Sequence, residues 1–146
     1  MNVIGYMLSA IAYFFFLGTQ ALFAPILFPI PSLLCIGALG AAWLAARKDQ
    51  RVWRRRSLWF LLPFAVPILI LAYGVAFKYD GAIGTAPEWR GRVLDYLVWS
   101  EVPIAVLLLV IVRVNPLVVL GISVFAWGLS CCTAFMSYMS VTNVWL

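Results

Sequence analysis

Apolar residues in this chain come in runs long enough to cross a bilayer, and most of the positive charge is gathered between two of those runs, at residues 47–56. A run of about 20 apolar residues matches the hydrocarbon thickness of a membrane and is too long to hide in a small soluble domain. With 66% hydrophobic and 10% charged residues, the chain has too little polar surface to cover a globule. Its 146 residues leave room for four or five spans and for no separate soluble domain. The expected fold is all-α, a single transmembrane domain over residues 1–146 with about five helices in a small bundle.

The runs place spans at about residues 3–23, 31–46, 57–77, 95–112 and 116–138. No basic residue precedes Arg47, so the first run lacks the positive n-region of a secretory signal and is read as a retained span. Pro25, Pro29 and Pro31 end the first helix. They set up an outer hairpin between the first two spans. Pro63 and Pro67 predict a bend in the third span, and Asn115-Pro116 divides an apolar stretch too long for one crossing.

Six of the ten basic residues, Arg47, Lys48, Arg51, Arg54, Arg55 and Arg56, share one short loop, which the positive-inside rule keeps cytoplasmic. They are the candidates for contact with anionic lipid, and Trp43, Trp53 and Trp59 bracket them as interfacial anchors. The alternation of loops then puts the N-terminus in the cytoplasm and the C-terminus outside, in a plasma membrane of the bacterial inner-membrane type. A four-span arrangement, with the first or second segment re-entrant or interfacial, is the competitor and moves the N-terminus outside. A basic loop in this setting meets lipid or an acidic protein partner, and nucleic acid is not expected.

The chain has no histidine, which removes the commonest general base and the usual haem and metal ligand. No Gly-rich phosphate loop occurs, and Cys35, Cys131 and Cys132 lie inside apolar runs without CxxC spacing. Neither an enzyme nor a metal or other cofactor is expected. Four of the five carboxylates, Asp49, Asp80, Glu88 and Asp95, fall in loops or at a helix end.

The fifth carboxylate, Glu101, stands about 18 Å before the inner boundary at Arg113 at the helical rise, within the outer half of the bilayer. Burial there costs several kcal/mol unless the carboxyl is protonated or paired. Pro103 cannot donate to the Trp99 carbonyl, which leaves an acceptor half a turn away. Thr19, Gln20, Tyr73 and Ser130 fall in the same outer half and complete the candidate intramembrane site, with Thr133 and Ser137 at similar depth. Ser123, Trp127, Ser130 and Ser137 follow one face of the last span.

Gly37, Ala41 and Ala45 recur every fourth residue on the second span, the small-residue face along which membrane helices approach closely. Leu71, Tyr73 and Lys78 match a proposed sterol pattern that many span ends also match. The expected function is that of a small integral membrane protein acting through helix–helix contacts, as an accessory subunit, immunity-type protein or effector of a membrane complex. Its partners are lipids and another membrane protein or a second copy. The alternative is a proton- or cation-coupled transporter or channel using Glu101.

Overall fold

The computed structural model describes residues 3–27, 29–48, 57–83, 85–112 and 116–144. Among them every regular element is helical: α1 (Val3–Leu27), α2 (Pro29–Lys48), a 3-10 turn (Ser57–Leu61), α3 (Ala65–Ala76), α4 (Trp89–Trp99), α5 (Glu101–Val112) and α6 (Pro116–Thr142). Three stretches are long and apolar enough to cross a membrane: Trp59–Ala76, Trp89–Val112 and Pro116–Thr142. The apolar cores of the first two helices, Met7–Ala21 and Ser32–Arg47, are shorter.

All the other α-helices pack on α6. The order of the contacts gives their directions. Tyr13 Oη donates to Ser140 Oγ at 2.9 Å, and Leu17 and Ala21 pack with Met136 and Met139. Farther along, Cys35 Sγ approaches the Val124 carbonyl at 3.7 Å, and Ala46 packs with Val118 and Val119. Rising numbers in α1 and α2 thus meet falling numbers in α6, so both helices run antiparallel to it, one after the other. α3 runs parallel to α6, since Ser137 Oγ donates to the Ile70 carbonyl at 3.0 Å and Ser140 Oγ to that of Gly74 at 2.8 Å. The α4–α5 pair is antiparallel again, with Leu94 beside Val141 and both Leu108 and Val112 beside Val118 and Val119. The described helices therefore make four up-and-down passes, the first in two pieces.

This arrangement replaces the expected outer hairpin between residues 3–23 and 31–46, since α1 and α2 follow one another along α6 in the same direction. Tyr13 and Ser140 lie together, so the start of α1 and the finish of α6 occupy the same end of the bundle. The physical reason lies in what proline does. Pro29 and Pro31 sit in the first turn of α2, where a missing N–H had no partner within the helix, and Pro25 removes a single bond within α1. The helix is interrupted, but nothing in a proline reverses the chain. Direction is set by burial instead: α1 covers the last third of α6 and α2 its first half.

Two boundaries also move. Pro63 lies in a turn of i+3 bonds, Leu62 N to Trp59 O and Val66 N to Pro63 O, so the third span opens as a 3-10 turn before α3 begins. The expected fourth span, residues 95–112, begins six residues earlier at Trp89. Its early charges are used at the helix entrance: Arg90 Nη1 donates to the Phe77 carbonyl at 3.0 Å and Arg92 pairs with Glu88 at 3.0 Å.

Candidate functional site

The longer pass relocates Glu101. It lies about 18 Å along the helix from Trp89 and about 17 Å from Val112, at the middle of the pass rather than in its outer half. It is the first residue of α5, just past Ser100, where α4 ends. Ser100 Oγ turns back to the Leu97 carbonyl at 2.6 Å, and the bond from Ile104 N to Ser100 O is stretched to 3.4 Å. Pro103, on the next turn, has no N–H to give to the Trp99 carbonyl. The helix is loosened where the carboxylate sits.

Glu101 is 3% exposed. Its Oε1 accepts a hydrogen bond from Ser130 Oγ at 2.8 Å, across 29 positions of sequence. Its Oε2 has no hydrogen-bond partner among the described residues. The two elements that pack on α5 from elsewhere in the chain, α6 and the 3-10 turn, carry no Asp, Glu, Lys or Arg. The arrangement offers one carboxylate oxygen to a proton, a cation or a donor from outside the described residues.

Ser130 begins a seam of buried hydroxyls that climbs α6 at intervals of three and four. Thr133 Oγ1 bonds back to the Ser130 carbonyl at 3.0 Å, and Ser137 and Ser140 donate across to α3. Below it Ser123 is buried with its Oγ unpartnered among the described residues. Trp127, expected on this face, turns outward and is exposed. The sequence reading missed Ser140, though its spacing from Ser137 and Ser130 continues the same helical face.

Three other residues expected at the site are elsewhere. Leu17 and Ala21 of α1 meet α6 at Met136 and Met139, with Cys132 also in that cluster. Cys132 lies about 200° around the helix from Ser130, so α6 itself stands between α1 and the carboxylate. Thr19 bonds its own helix through Oγ1 to the Phe16 carbonyl at 2.8 Å, and Gln20 is half-buried on that same far helix. Tyr73 directs its hydroxyl to the Arg90 carbonyl at 3.3 Å and stacks on Phe77, well toward the end of the bundle. Depth in a span can be read from sequence, whereas the side of a neighbouring helix cannot.

The small-residue face of α2 is rotated by one position. Ala42 and Ala46 are buried, and a methyl built on Gly121 would strike the Ala38 carbonyl and the Ala42 side chain. Gly128 similarly leaves room for Cys35. Of the expected face, Ala45 is half-buried against this seam, whereas Gly37 and Ala41 are exposed, and nothing lies within 4 Å of a methyl built on Gly37 or Gly40. Residues 38, 42 and 46 repeat at the same interval as 37, 41 and 45, so spacing alone could not choose between them.

Among the basic residues, Arg47 lies with its guanidinium 3.9 Å from the centre of the Trp43 ring, an interfacial pairing. The side chain of Lys48 and all of Arg51, Arg54, Arg55 and Arg56 lie outside the described residues. Among the described residues no three of Cys, Asp and Glu gather closely enough to hold a metal ion. Comparison with family models, curated proteins and solved structures finds no match to this chain.

Proposed function

We propose that this chain is an integral membrane protein without chemistry of its own, working through helix–helix contacts as an accessory subunit, immunity-type protein or effector of a larger membrane complex. The observation that carries the reading is the second face of α2. One side is spent on α6 through Ala42 and Ala46, while the opposite side presents Gly37 and Gly40, with nothing within 4 Å of a methyl built on either, beside the exposed Ala41. Glycine is a poor helix residue and offers lipid no side chain to contact, yet it permits close approach of another helix. In this reading the first pass crosses as one broken helix, giving four crossings, with the basic loop in the cytoplasm and both the start of α1 and the finish of α6 outside, in a bacterial inner membrane. The test is recovery of a stoichiometric partner after mild detergent extraction. Gly37→Leu with Gly40→Leu should abolish recovery and leave the melting temperature of the purified protein within a few degrees. Undiminished recovery would reject this face as the interface.

A second reading, proton or cation coupling at Glu101, is favoured by the unpartnered Oε2 in a group only 3% exposed. It expects flux in liposomes holding this protein alone, abolished by Glu101→Gln. Tight liposomes with wild-type protein would remove it.

A further inference from the structure

One side of α6 is left uncovered by the described helices. Leu120, Val124, Trp127, Cys131 and Tyr138 line it, all exposed, at the three- and four-residue steps of a single helical face. Trp127 stands about 17 Å along the helix from Pro116 and about 23 Å from Thr142, whereas tryptophan in membrane proteins ordinarily sits at the interface with its N–H toward water. Its indole N–H has no acceptor among the described residues. A second polar group borders the same strip. Leu17 and Ala21 of α1 pack among Cys132, Met136 and Met139, which puts Gln20 level with Thr133 and about 5 Å from the level of Ser130, at the middle of the bundle. Gly18, 100° round α1 from Leu17, has Leu71 of α3 3.8 Å from a methyl built on it, and Gln20 turns 60° the other way. Gln20 therefore lies on the flank of α1 away from α3, beside the open side of α6. Its amide is half-buried and makes no hydrogen bond to any described residue.

We infer that the open side of α6, with the flank of α1 that bears Gln20, is the interface of a homodimer whose two Gln20 amides hydrogen-bond to each other across a two-fold axis along the membrane normal. A lone amide in hydrocarbon is costly, because lipid offers it no partner. A second copy supplies one without further design. The amide carries two donors and an acceptor, so it is its own complement. A two-fold axis along the normal brings every residue to the depth of its own counterpart, where two Gln20 side chains exchange a pair of N–H···O bonds. An unrelated helix would need a polar side chain of its own at that one level. The strip beside the amide carries no charge, so nothing on it holds two copies apart. The dimer requires that α1 and α6 face lipid, which belongs to the reading of the chain as an integral membrane protein. It makes no use of the glycine face of α2, which points away from α6.

The test follows energy transfer between differently labelled copies of the full-length protein in liposomes, over a series of protein-to-lipid ratios. Wild type should dimerise, and Gln20→Leu should weaken the dimer roughly tenfold, the worth of two hydrogen bonds between membrane helices. The same substitution should leave the melting temperature unchanged, since leucine at this position meets lipid. A second measurement reads the geometry. With Cys35, Cys131 and Cys132 replaced by alanine, Gln20→Cys should cross-link to its own copy under mild oxidation, and Thr19→Cys, at nearly the same depth but turned 100° away, should not. Wild-type protein that stays monomeric at every ratio, a dimer undiminished by Gln20→Leu, or equal cross-linking at both positions would overturn the interface. A dimer broken by Gly37→Leu with Gly40→Leu and untouched by Gln20→Leu would also overturn it, placing the second copy on α2. Protein released from membranes by alkaline wash would refute the integral reading itself, a result distinct from inserted protein that remains monomeric.

Discussion

The bond from Ser130 to Glu101 joins the middle of one pass to the middle of another, in a place where water offers no substitute partner. Hydrogen bonds between membrane helices are worth about 0.6 kcal/mol on average, and leaving a buried acceptor unmatched costs about 1–3 kcal/mol. Ser130→Ala should therefore lower the unfolding free energy in detergent micelles by about 1 kcal/mol. Glu101→Gln keeps an acceptor oxygen at the same reach and should cost less than half as much. If the glutamine variant is the weaker of the two, then the charge or proton on Glu101 matters more to the fold than the bond. The burial of position 101 was legible in the chain, because the carboxylate lies deep in an apolar run. Its partner was legible only as one of several hydroxyls at similar depth. Choosing Ser130 over Thr19 or Gln20 required knowing which side of α6 each neighbour takes.

At the scale of the helix, α2 carries two small-residue rows and uses one. Ala42→Leu drives a branched side chain into the space that Gly121 vacates and should cost about 1–3 kcal/mol, as overpacking generally does. Ala41→Leu, one residue away and exposed, should leave the unfolding midpoint of the isolated protein unchanged. Equal losses in both would mean that α2 is rotated from the arrangement described. Periodicity announced that a close approach existed on this helix but not its azimuth, since both rows repeat every fourth residue. The glycines that settle the matter, Gly121 and Gly128, lie on the partner helix, 79 positions beyond Ala42 and 93 beyond Cys35. The α-helical class and the third and last spans were readable for the opposite reason: each depends on the local run of apolar residues alone, while the expected break at Asn115-Pro116 falls partly outside the described residues.

For the whole molecule, the proline cluster at 25, 29 and 31 is the point at which sequence reasoning failed. A break and a reversal look identical in one dimension, and counting the break as a turn puts Tyr13 and Ser140 at opposite ends of the bundle, whereas they lie together. Accessible reporters fused before Val3 and after Asn143 should therefore read the same side, opposite to a reporter between Arg47 and Ser57. Opposite readings at the two ends would restore five crossings.

The central position of α6 also bears on how the molecule comes into being. Every other α-helix rests on it, yet it follows all of them along the chain. A ribosome delivers α1 to α5 before the surface they share exists, so those helices enter the bilayer with their small and polar faces unmatched. Assembly then waits for the last of the described helices to arrive. Until it does, the earlier helices have only one another to pack against.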